Sequence, residues 1–87
     1  MSGETTMRAA RYAANDVMLE RSRQRHKFGA GADDALSPPE WIARLTKHLG
    51  RAVTTVPEDY RRELVVVGAL ALAAIEAYDR ITPRETL

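Results

Sequence analysis

The stretch from Leu64 to Ala77 constrains this chain more than any other part of it. It reads LVVVGALALAAIEA, with Glu76 as its one charged residue. So high a density of alanine favours a helix over a strand. A helix on the surface of a monomer keeps a polar face, and one without it is covered on several sides. An 87-residue chain has few other helices to offer as cover, and a domain of that size is marginally stable alone. The chain has no cysteine, so neither a disulfide nor a thiolate metal site can add support. The expectation is a homo-oligomer, a dimer or tetramer, joined through this third helix. Gly68, Ala69, Ala71, Ala73 and Ala74 would let another helix approach closely.

The apolar run between Glu63 and Glu76 holds 12 residues, too few to span a bilayer. No apolar segment of the kind found in signal peptides follows the polar Met1–Thr6 stretch. These features lead us to expect a protein of the cytoplasm, without a membrane partner. Thirteen basic residues nearly balance 12 acidic ones, for a net charge of +1. That balance gives no general case for nucleic-acid binding.

The remaining pattern predicts an all-α fold, a three-helix unit assembling into an oligomeric helical bundle. One domain covers 1–87, with a flexible N-terminus over 1–5 and a tail over 82–87. The first helix runs roughly from Thr5 to Lys27, with a stripe of Met7, Ala10, Ala14, Val17 and Met18. Beyond Leu19 it turns polar on every face, and Gly29, Gly31 and the Asp33-Asp34 pair mark a loop. Ser37-Pro38-Pro39-Glu40 spells a helix start: a capping serine, a proline at the first position and a glutamate three after the cap. Trp41, Ile42, Leu45, Leu49 and Ala52 form one apolar face, and Thr54-Thr55 ends it. Pro57, Glu58 and Asp59 open the third helix, which stops near Ile81, before Pro83.

Several segments together resemble a known family. Glu20-Arg21-Ser22-Arg23-Gln24 is followed by Phe28-Gly29, and Trp41 and Leu45 sit at the start of the second helix. Tyr60-Arg61-Arg62-Glu63-Leu64 leads to a closing Ile75-Glu76-Ala77-Tyr78-Asp79-Arg80. Over residues 16 to 80 the chain resembles the MazG-like all-α nucleotide pyrophosphatases of phages and bacteria. In that family a helix carrying Glu-Glu-x-x-Glu faces one carrying Glu-x-x-Asp, and their acids hold Mg²⁺ against a nucleotide's phosphates. The corresponding positions here are Lys47, His48 and Arg51 on one helix, and Glu63 followed by Val66 on the other. Mg²⁺ needs hard oxygen ligands, which Lys47 and Arg51 cannot supply, and His48 with Glu63 alone makes a poor site for a softer metal. The resemblance therefore implies the family's fold with neither metal nor cofactor, and without the family's metal-assisted hydrolysis.

The replacements suggest another use for the same cleft. Arg44, Lys47, His48 and Arg51 flank one side of the second helix's apolar face, and cations can offset phosphate charge directly. Phe28 or Trp41 could stack on a base, and Arg21, Gln24 and Arg25 are candidates for further polar contacts, with Glu63 as the surviving acid. The leading expectation is a metal-independent binder of a phosphate-bearing small molecule. Its ligand would be a nucleotide or a nucleotide-derived immune signal, sequestered in the host cytoplasm if the chain is a phage product. The alternatives are an active metal-dependent nucleoside-triphosphate pyrophosphatase and a structural or protein-binding helical oligomer. The plainer account of the same basic residues is that their stems cover the edge of the core while their charges stay in water.

Overall fold

In the computed structural model, which describes residues 3–54 and 56–82, the chain is all-α. Three helices follow in order: α1 Gly3–Asp34, α2 Pro38–Thr54 and α3 Pro57–Ile81. The most apolar helix sits in the middle. Both α1 and α2 pack on α3, and among the described residues they do not pack on each other. The contact surface of α3 is built from its smallest side chains, with Ala69, Ala73 and Ala77 buried at intervals of four, one helical face. Trp41 of α2 closes over Ala73 and Ala77, with Leu36, Leu70 and Ala74 around it. On the α1 side, a Cβ added to Gly68 would lie 3.1 Å from the Val17 side chain.

The start of α2 forms as its residues dictate. The Ser37 hydroxyl donates to Glu40 Oε1 at 2.9 Å, the Ser37 backbone N–H donates to the same oxygen at 3.3 Å, and the Glu40 N–H donates to Ser37 Oγ at 3.4 Å. This is the reciprocal cap that the sequence predicts. At the other end α2 stops at Thr54, whose hydroxyl donates back to the Gly50 carbonyl; Thr55 lies outside the described residues.

Two expectations for α1 change. The helix begins at Gly3, inside the N-terminal segment expected to be flexible, of which Met1 and Ser2 lie outside the described residues. The segment expected as a loop is helical again through Asp34, after a break at Gly29, where φ is +78° and ψ 163°. Glycine takes that conformation at little cost. Past the break Asp33 accepts from Arg21 of α1, and Asp34 Oδ1 accepts from Arg80 Nε of α3 at 2.7 Å. Asp33 and Asp34 are thus pairing acids within a helix, which short-range turn signals could not reveal. Apart from Thr82, the expected C-terminal tail lies outside the described residues.

The opposite face of α3 is open. Tyr60, Leu64, Ile75 and Tyr78, on one side at helical spacing, are 55, 39, 57 and 60% exposed. The α1 stripe is equally uncovered up to its middle, since every residue from Gly3 to Asn15 is exposed. No described helix is long and apolar enough to cross a membrane.

Candidate functional site

A polar cavity of about 320 Å³ opens between α1 and α2 over the small-residue face of α3. Its floor is apolar, formed by Val66, Leu70 and Ala73 of α3. Glu20, Arg23, Gln24, Phe28 and Asp33 line it from α1, and Arg44, Lys47 and His48 from α2. Spacing of three and four puts Glu20, Arg23, Gln24 and Phe28 on one face of α1, and Arg44, Lys47 and His48 on one face of α2, while Asp33 joins from beyond the break at Gly29.

Half of the wall is already neutralised internally. Arg23 grips Glu20 with a fork, Nε to Oε1 at 2.9 Å and Nη2 to Oε2 at 2.7 Å. That hydrogen bond holds the Glu20 carboxyl below its ordinary range against the opposing effect of burial. Asp33 accepts from Arg21 Nη2 at 2.9 Å. Arg21 itself is only 1% exposed, and its other contacts go to Glu76, from Nε to Oε2 at 3.1 Å and from Nη2 to Oε1 at 3.2 Å. Arg25 adds a third donor to Glu76 at 3.1 Å. Burial would raise the Glu76 carboxyl, but the hydrogen bonds from Arg21 and Arg25 outweigh it and hold the group below its ordinary range.

The other half is unsatisfied. Arg44 and Lys47 make no ion pair or side-chain hydrogen bond among the described residues. Gln24 is 6% exposed, and its Nε2 donates to Glu20 Oε2 at 3.3 Å. A carboxylate can only accept, so this contact fixes which way the amide points. The Gln24 Oε1 is then left buried and without a donor. His48 Nδ1 is likewise buried without a hydrogen bond; its nearest acid oxygen is Glu63 Oε2 at 3.6 Å, beyond hydrogen-bond reach. Such groups are rare in folded proteins, because leaving one buried and unpaired costs roughly 1–3 kcal/mol.

The structure brings together Gln24, Phe28, Arg44, Lys47 and His48 from the sequence-based set. It places the others elsewhere. Arg21 stands behind the wall, engaged with Asp33 and Glu76, and Arg25 reaches Glu76 on the outside. Glu63 lies beside His48 without lining the cavity, and Arg51 is exposed on α2 away from it. Trp41 faces a separate apolar groove of about 190 Å³ on the other side, lined also by Ile42, Tyr78 and Ile81. Phe28 is 53% exposed, with the Lys27 ammonium 5.1 Å from its ring centre. Glu20, Arg23 and Asp33 were missed as wall residues. The positions of Glu20 and Arg23 relative to Gln24 could have signalled them, but nothing local marks Asp33. Among the described residues, no three His, Asp or Glu side chains converge as a metal site.

Compared with family models, with curated proteins and with solved structures, the chain matches none.

Proposed function

We propose that this cavity binds an anionic, phosphate-bearing small molecule without a metal, a nucleotide or nucleotide-derived signal, and holds it without cleaving it. One observation carries the reading: two cations without a partner among the described residues, Arg44 and Lys47, line the α2 wall of a cavity whose α1 wall carries Gln24 and Phe28. A ligand that supplies negative charge would pair with both cations at once. Charge-assisted hydrogen bonds contribute about 1.5–3 kcal/mol each and a ring stacked on Phe28 about 1–3, a sum whose upper end reaches the roughly 8 kcal/mol of micromolar binding. The MazG-like resemblance supports the same cleft, with Lys47 and His48 standing where that family places metal-binding acids. Calorimetry against a panel of nucleotides in chelator-treated buffer tests the proposal. Binding should survive chelation and vanish in Arg44→Glu/Lys47→Glu, while Arg8→Glu/Arg11→Glu, an equal charge change on the exposed start of α1, leaves it intact. Pyrophosphate release from a triphosphate with Mg²⁺ or Mn²⁺ would favour the hydrolase reading instead.

A second proposal concerns assembly: copies of the chain join through the open face of α3, as a dimer or tetramer. The accessible surface is 6594 Å², whereas a compact 9.7 kDa monomer exposes about 5,100 Å². The radius of gyration is 14.8 Å, against about 12 Å for a compact domain of this length. The excess is of the size that an interface removes, and the face carrying Leu64, Ile75 and Tyr78 offers an apolar patch to remove it.

A further inference from the structure

Resting on the assembly reading above, we infer that the open face of α3 is covered by the N-terminal arm of α1 from a second copy of the chain, each copy of a two-fold pair giving one arm and receiving one. The arm is residues 3–15, the part of α1 in which every residue is exposed. Contact with α3 follows it, with Asp16 on Arg61 at 2.8 Å and Val17 on Gly68. From there the numbers rise together, Arg21 pairing with Glu76 and Asp34 with Arg80, so the two helices run in the same sense. The arm therefore lies off the N-terminal end of that contact, and among the described residues α2 does not pack on it either. A helical segment of this length, about 20 Å, is marginal in water without tertiary cover. Its apolar side continues a seam already in use: Met7, Ala10 and Ala14 lead to Val17 at spacings of three and four.

The α3 of a second copy fits this arm in area, length and relief. The accessible surface of 6594 Å² exceeds that of a compact monomer by roughly 1,500 Å², nearly twice the about 800 Å² that one partner loses in a standard interface. Contact between two α3 faces uses one patch per copy. Reciprocal exchange uses two, the arm given and the face occupied. From Tyr60 to Tyr78 the face spans about 27 Å, room for the whole arm.

Relief points the same way. Inside the chain, larger side chains sit against small ones, Trp41 on Ala73 and Ala77, and Val17 on Gly68. The open face carries Tyr60, Leu64, Ile75 and Tyr78, ridges that pack into the shallow alanine side of an arm and that would meet only their like across an α3–α3 contact. The exchange joins two unlike surfaces, and a two-fold axis closes it at two copies.

The test is the mass in solution, by light scattering at micromolar concentration, of charge variants alone and mixed. Ala10→Glu/Ala14→Glu should run as a monomer with the circular dichroism of a folded helical chain, because both positions are exposed in the single chain and glutamate is a good helix former. Leu64→Lys/Ile75→Lys should likewise be a monomer. An equal mixture of the two should recover the dimer, since acidic arms then meet basic α3 faces while the other arm and face are native. An arm variant that keeps the parent's mass overturns the inference; where Leu64→Lys/Ile75→Lys is monomeric, assembly through α3 still stands. A mixture that stays monomeric overturns the exchange as well. Should the charged arm fail to fold, Ala10→Gln/Ala14→Gln puts the same question with a neutral helix former. A monomeric parent removes both this inference and the assembly reading beneath it.

Discussion

Arg21 is the largest fully buried side chain among the described residues, and it shows how function and architecture can compete for one residue type. From sequence it belongs with the ligand contacts. Its acids lie 12 and 55 positions away, so no short-range pattern could disclose that it is already paired. The Ser37 to Glu40 cap, whose partners are three apart, was legible for the opposite reason. Removing one partner of a buried ionic cluster strands the others, at about 3–5 kcal/mol. Arg21→Met should therefore lower unfolding free energy by about 3 kcal/mol in a urea titration, and a loss under 1 kcal/mol would mean the cluster contributes little. The same cluster sets a pH response. A carboxyl held below its ordinary value when folded binds protons more readily in the unfolded chain. The stability it adds is complete above the ordinary value of 4.5 and is lost as pH falls through the lowered one. Acid titration of the parent should thus show a decline below pH 4.5, flatter in Arg21→Met because Glu76 then loses its main donor.

At the scale of elements, helix identity was legible and helix extent less so. Local signals placed α2 and α3 within a residue or two, α2 through its Ser37–Glu40 cap and periodic apolar face, α3 through Pro57 and the early acids Glu58 and Asp59. The recovery of α1 beyond Gly29 was hidden, since its cause is the pairing of Asp33 and Asp34 with α1 and α3 side chains. The cavity was half legible for a related reason. Arg44, Lys47 and His48 share one face by spacing alone, whereas the α1 wall depends on how two helices cross. Glycines give an element-level test. Gly50 lies in α2 with nothing within 4 Å of an added Cβ, while Gly68 lies in α3 against Val17. Alanine is the better helix former by about 1 kcal/mol, so Gly50→Ala should raise stability by about that amount. Gly68→Ala requires the stiff, β-branched Val17 to move, and should gain less or lose. Equal gains at both sites would show that α1 and α3 are not held at this separation.

For the molecule as a whole, an apolar α3 implied more cover than one chain provides, and two helices do cover only part of it. Ala69, Ala73 and Ala77 turn inward while Leu64, Ile75 and Tyr78 stay exposed, a division that composition alone did not show. If copies join there, light scattering on the parent should give a dimer or tetramer at micromolar concentration. Leu64→Glu/Ile75→Glu should then shift the mass toward a monomer. A parent that runs as a stable, well-folded monomer would refute assembly through this face.

Among the described residues α1 and α2 do not pack on each other, and this has a mechanical consequence. The two walls are joined by α3 and, at one end, by the short link of residues 35–37, so the width of the gap at its open end would be a soft coordinate. A molecule lodged in the gap would become the strut that fixes its width. Part of its binding free energy would be spent on stilling that motion, and the stiffness of the whole chain would then record whether the gap is filled.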